Sequence, residues 1–215
     1  MTTQTLRRGR RDWPIITGLL VLAFVPSVAG ALRIAQLGAG VPRTPDNARF
    51  VDMPLPVVIH IVGAVTFAVL GAFQVAPRLR ARHRRWHRIA GRIAFAGGLA
   101  TAGSGLWMTA FYPLPATDNA VVNAARSVVG VTMLAGLVAA FLAARRRDIR
   151  THRAWILRSY ALAMGAGTQA FTSLPLIATM SETDPHFPAA RAVAMIAGWL
   201  INLAVAEYAI RRPIR

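Results

Sequence analysis

The chain has 215 residues, of which 55% are apolar and 15% charged, with a mean hydropathy of +0.45 and a formal net charge of +17. A soluble basic protein spreads its charge over a polar surface, whereas here long charge-poor runs alternate with bunched cations, the pattern of a multi-pass membrane protein. Cysteine is absent, which excludes a disulfide framework, a thiolate metal site and a cysteine nucleophile, and all 25 basic residues are arginine.

A basic tail, residues 1–12, precedes the first apolar run. Six runs in all reach the roughly 20 residues that a helix needs to cross a hydrocarbon core of about 30 Å. They cover residues 13–37, 54–76, 89–112, 120–144, 155–179 and 189–210, and a second basic tail follows at 211–215. Helix is the state that satisfies its own backbone in lipid. The composition therefore predicts an all-α integral membrane bundle of about six transmembrane helices in a single domain. Glycine and alanine recur inside the runs, as in TFAVLGAFQ and AFAGGLATAGSG, and read as faces for close helix packing.

The first run raises a question of processing. A basic start, an apolar stretch and Ala29-Gly30-Ala31 resemble a cleavable signal, with Arg10-Arg11 as a twin-arginine hint. The apolar run continues past that site to Leu37, which favours an uncleaved span bent at Pro14 and Pro26.

Charge sorts the connections between the runs. Arg78, Arg80, Arg82, Arg84, Arg85 and Arg88 lie between the second and third runs, and Arg145, Arg146, Arg147 and Arg153 near the turn from fourth to fifth. Twenty of the 25 arginines fall on one alternating set of ends, and the other set carries Arg33, Arg43, Arg49, Arg126 and Arg191 with most of the acids. Positive charge stays on the cytoplasmic side, so both termini are expected in the cytoplasm of a bacterium, with the chain in its cytoplasmic membrane. The stretch RLRARHRRWHRIAGR then reads as a loop that fixes orientation and meets anionic phospholipid headgroups, not nucleic acid.

Two of the arginine-rich ends resemble each other: His87 to Arg92 opens the third run and His152 to Arg158 the fifth, each with a tryptophan at hand. A duplicated helix pair or convergence on interfacial anchors would both produce this. The elements Gly71-Ala72-Phe73-Gln74, His87-Arg88 with Gly91-Arg92, Ser104-Gly105, and His152-Arg153 with Trp155 and Arg158-Ser159-Tyr160-Ala161 resemble the domain of unknown function 2306 family. The resemblance runs from about Pro54 to Thr179. It implies a bacterial multi-pass membrane protein and supplies no reaction.

Chemistry has to come from few residues. His60 lies two turns inside the second run, and Gln74, close to four whole turns later, shares its face with Gly63, Phe67 and Gly71. Glu207 is the acid well inside a run, one turn from the end of the sixth, where Arg211 and Arg212 could receive it. His60, Gln74 and Glu207 together would suit a small transporter. His87 and His152 sit at similar depth, and Gly91, Ala94, Gly98 and Gly105 follow His87 as a smooth stripe. Haem b ligated by His87, His152 or His60, with Arg92 and Arg158 on its propionates, is the electron-transfer alternative. Arg126 and Arg191, at equivalent starts of the fourth and sixth runs, suit a lipid phosphate. Glu182, Asp184 and His186 read as a loop and not as a metal site. No GxSxG, HExxH or phosphate-binding loop occurs, so no catalytic residue is assigned. The leading expectation is a non-enzymatic membrane or accessory protein, with a second copy or another membrane protein as partner.

Overall fold

Residues 12–212 are described by a computed structural model. The basic tails, including the twin arginines and Arg215, lie wholly or mostly outside them. The described residues form helices and no strand.

The first apolar run folds as α1 (Trp13–Gly38), with Pro14 in its first turn, where a missing N–H costs nothing, and Pro26 inside. A short helix, α2 (Ala48–Asp52), occupies the proline-rich connection, and α3 (Pro54–Gln74) follows. The arginine-rich stretch is itself helical, as α4 (Pro77–Arg82) and the start of α5 (Arg84–Phe111). Asp12 reaches across from the foot of α1 and accepts the Arg78 and Leu79 amides at 2.8 and 3.2 Å. Its carboxylate thereby supplies acceptors for the free amides of α4.

Asn119 caps α6 (Ala120–Arg145) by accepting the Val122 amide at 3.0 Å. Asp148 does the same for α7 (Ile149–Ala163) at Thr151. Between them the chain turns tightly. The Asp148 amide donates to Ala143 and the Arg147 amide to Ala144, and Arg147 takes φ 62°. That is the helix stop in which glycine is usual, here with arginine in the left-handed position.

The fifth run is broken. It forms α7, α8 (Gly165–Thr172) and α9 (Leu174–Thr179), where a single span over 155–179 was expected. Pro175 cannot donate to Phe171, which accounts for the second break. At the first, side chains on Gly165 or Gly167 would run into Trp199 or the Leu22 backbone, so α8 lies hard against its neighbours. The last helix, α10 (Phe187–Arg211), is continuous.

Six antiparallel rods result: α1, α3, α5, α6, α7 to α9, and α10. Each packs on the next, and α8 closes the ring against α1 and α10. The tightest seam joins α3 to α5. A Cβ added to Gly63 would stand 2.8 Å from the Gly97 carbonyl oxygen, so the two backbones touch with nothing between them. Phe67, Leu137, Met133, Tyr160 and Ala94 fill the centre.

Among the described residues, α1, α3, α6 and α10 are long and apolar enough to cross a membrane. The two remaining rods are more polar for visible reasons. The early turns of α5 carry Arg84, Arg85, Arg88 and Arg92 and its body is rich in glycine, alanine and threonine, while α7 carries Arg150, Arg153 and Arg158.

Candidate functional site

The arginine-rich end of the bundle is where the sequence motifs meet. Gly71 on α3 presents bare backbone to the Tyr160 ring of α7, and a Cβ there would collide with it. The Tyr160 hydroxyl donates back to the Ala68 carbonyl at 2.7 Å, and its ring meets Phe67 edge-on at 5.5 Å. Nearly one turn further along α3, Gln74 lays its amide over Gly91 of α5, where a Cβ would stand 3.2 Å from Oε1. Because α5 begins at Arg84, ahead of the predicted residue 89, His87 lies within the helix, one turn before Gly91. His152 lies in the opening turn of α7, and its Nδ1 pairs with the Ala140 carbonyl of α6 at 2.9 Å.

Two polar atoms in this junction are buried without a partner, Gln74 Nε2 and His87 Nδ1. A buried unpaired polar atom costs about 1–3 kcal/mol, so the Gln74 amide is a place for an acceptor and His87 Nδ1, according to its tautomer, for an acceptor or a donor, a water included. Two imidazoles and an amide fall short of a metal centre. Among the described residues no group of three or more His, Cys, Asp or Glu could hold an ion.

The small-residue stripe that follows His87 on α5 is occupied at two of its levels. A Cβ on Gly98 would meet Phe67 at 3.2 Å and Leu137 at 3.0 Å, and one on Gly105 would meet His60 at 3.2 Å. The stripe is filled by neighbouring helices. Arg92 is exposed, and Arg158 is taken by Glu207.

His60 is committed to the α3–α5 seam. Its Nδ1 lies 3.0 Å from the Thr101 carbonyl and 3.2 Å from Ser104 Oγ. The face through His60, Gly63, Phe67, Gly71 and Gln74 points into the bundle as the spacing predicts, but the ends of that face have different surroundings. Glu207 is not part of it. Its carboxylate takes Arg158 Nε at 2.5 Å and Nη2 at 3.1 Å, joining α10 to α7, where the sequence pointed to Arg211 or Arg212. Arg158 also stacks over Trp155 at 5.1 Å. Of the remaining arginines, Arg78, Arg80, Arg82, Arg84, Arg85, Arg88, Arg145, Arg146 and Arg147 are exposed, and half-buried Arg153 donates to the Ala209 carbonyl at 3.0 Å.

The arginine-poor end holds a second polar centre. Asp118, with its side chain 1% exposed, accepts Arg126 Nη1 and Arg191 Nε, each at 2.6 Å. Burial works to raise its pKa, but the two guanidinium groups outweigh burial and hold the carboxyl below its ordinary range. Sequence spacing picks out the two arginines and not the aspartate that joins them, because Asp118 and Arg191 lie far apart in the chain. The loop acid Asp184 accepts the backbone amide of His186 at 2.8 Å.

No curated protein and no solved structure matches the chain. One family does, over residues 57–210, from the first turn of α3 to the end of α10. That stretch contains every residue of the motif junction, and by it the chain belongs to the family of predicted membrane proteins of unknown function, DUF2306.

Proposed function

We propose that this protein is a non-enzymatic component of a bacterial cytoplasmic membrane, crossing it six times with both termini in the cytoplasm. It acts by association, with anionic lipid headgroups on the cytoplasmic side and with a second copy or another membrane protein within the bilayer. The observation that carries this reading is where the polar side chains inside the rods go. His60 faces Thr101 and Ser104, Tyr160 donates to Ala68, Gln169 to Met195, Thr172 to Ala194, and Arg158 holds Glu207. These are bonds between rods, the role polar groups take when they fix helix packing in lipid. A reaction centre would gather such groups around a shared space. The arginine-rich face supports the orientation, and an open groove lined by Arg82, His83, Arg84, Arg85, Trp86 and Ile89 suits anionic headgroups.

A haem-binding electron-transfer role is the second reading, favoured by the buried, unpartnered His87 Nδ1. The two part on one measurement. Protein purified in mild detergent from haem-replete cells should give a flat dithionite-reduced minus air-oxidised spectrum. Sharp α and Soret bands in stoichiometric amount would overturn the first reading in favour of the second.

A further inference from the structure

The arginine-poor end carries more positive charge than its packing uses. Asp118 binds Arg126 and Arg191, and two further arginines, from α1 and α2, meet at the Phe50 ring on the same end of the bundle. Arg49 of α2 lies over one side of the Phe50 ring, 4.6 Å from its centroid, and Arg33 near the end of α1 lies 4.8 Å from the same centroid. Arg49 also donates to the Pro113 carbonyl at 3.4 Å, five residues before Asp118, while its Nε is buried with no partner. Burial lowers the Arg49 pKa, Asp118 acts to raise it, and the charges of Arg126, Arg33 and Arg191 add to the lowering. Asp52, the acid that ends α2, does not relieve this crowding, because Arg43 holds it at 2.8 and 2.9 Å.

Two guanidinium groups thus hold the Asp118 carboxylate, a third, Arg49, feels its charge from α2, and a fourth, Arg33, shares the Phe50 ring with Arg49. Gluing α6 to α10 through Asp118 needs two of them. Arg49 is desolvated beyond that need and its Nε has no acceptor, at the end where arginine is otherwise sparse. The centre is also open: the Arg126 and Arg191 side chains are 29% and 33% exposed, and each guanidinium has donors left over after its bond to Asp118. Planar forks converging from several directions match the tetrahedral oxygens of a phosphate, which guanidinium binds in pairs of parallel hydrogen bonds.

We propose that Arg126 and Arg191 on Asp118, with Arg49 and Arg33 at the Phe50 ring, form a binding site for a phosphate group, either free in solution or carried by a lipid headgroup. Asp118 spaces Arg126 and Arg191 and keeps them from repelling one another while the site is empty. Arg49 supplies the buried donor that the anion satisfies, and Arg33 closes the cluster from α1. A site between helices at the level of the headgroups is reachable from either source.

The test uses the full chain, delipidated in a neutral detergent, with thermal unfolding followed at constant ionic strength. Inorganic phosphate replaces chloride in one titration, and short-chain phosphatidylglycerol in another, with short-chain diacylglycerol as the phosphate-free control. Stabilisation by both, or by inorganic phosphate alone, supports a site open to free phosphate. Stabilisation by phosphatidylglycerol alone, with none from diacylglycerol, identifies the lipid as the source. In either case Arg49→Gln should weaken the apparent affinity about tenfold or more, the worth of a lost charge-assisted hydrogen bond. Arg33→Gln, at a partly exposed position, should do the same in a chain that folds even if Arg49→Gln does not. No stabilisation by either ligand, or equal stabilisation of wild type and both variants, would overturn the proposal.

Discussion

Asp118 shows how much one side chain can hold. Its carboxylate lies between two arginines from different helices and is almost wholly withdrawn from solvent. The native state keeps it ionised below its ordinary pKa of about 3.9, so it releases its proton more readily when folded than when unfolded. The stabilisation this contributes is complete above that ordinary value and is lost as pH falls through the lower folded value. Asp118→Asn should therefore lower the unfolding midpoint near neutral pH and flatten its decline below pH 4. Removing one partner of a buried pair costs about 3–5 kcal/mol, and partial exposure of both arginines brings the expectation down to about 1–3 kcal/mol. Unfolding in detergent between pH 3 and 7 reads both effects, and an unchanged acid slope in the variant would remove Asp118 as the titrating group.

Between elements, contact is set by glycine more than by large side chains. Gly63 and Gly97 bring the α3 and α5 backbones together, so a methyl group at residue 63 has a carbonyl oxygen and Thr101 in its way, neither on a flexible chain. Gly63→Ala should destabilise the protein by about 1–3 kcal/mol through overpacking. Gly103→Ala is the control, since nothing lies within 4 Å of a Cβ there. It should leave stability unchanged or raise it by about 0.5–1 kcal/mol through helix propensity. Equal losses from both would mean that α3 and α5 are not joined at this seam. Sequence periodicity already assigns His60, Gly63, Phe67, Gly71 and Gln74 to one inward face, because residues on one helix keep a fixed angular relation. It does not reveal what each meets. The Tyr160 ring over Gly71 and the Arg158 bridge to Glu207 join residues with no local pattern between them. Nor does it find the stop at Arg147, where arginine stands in a glycine conformation. The breaks around α8 lay in plain view as Gly165, Gly167 and Pro175, yet in a membrane run small residues read equally as an unbroken packing face.

For the molecule as a whole, charge asymmetry is the organising quantity. Exposed arginines crowd one end of the six rods, and the opposite end keeps its few arginines near acids or aromatic rings. Reversing the charge of Arg78, Arg80, Arg82, Arg84, Arg85 and Arg88 should give a mixture of orientations in the membrane. On the orientation proposed above, a reporter fused to the C-terminus would then be partly displaced from the cytoplasm. A reporter that stays wholly cytoplasmic would mean the remaining arginines fix orientation without this loop. Most of the fold follows from composition at this scale, since apolar runs, their lengths and their flanking charges are properties of the chain alone. The site is less legible, because the histidines that drew attention from sequence either bind a neighbouring rod or wait beside an unpartnered glutamine.

The position of α1 also bears on how the protein is made. It precedes the other five rods in the chain, yet one of its neighbours comes from much later: Gly30 packs on Ile61 of α3, the next rod, but Leu22 fits against Gly167 of α8. The stretch that carries the family motifs begins only after it. Until α8 has been made, α1 has α3 as its partner and leaves its other side without one. Its last neighbour arrives when α8 has been inserted, so closing the ring is a late step that α1 must be free to diffuse into.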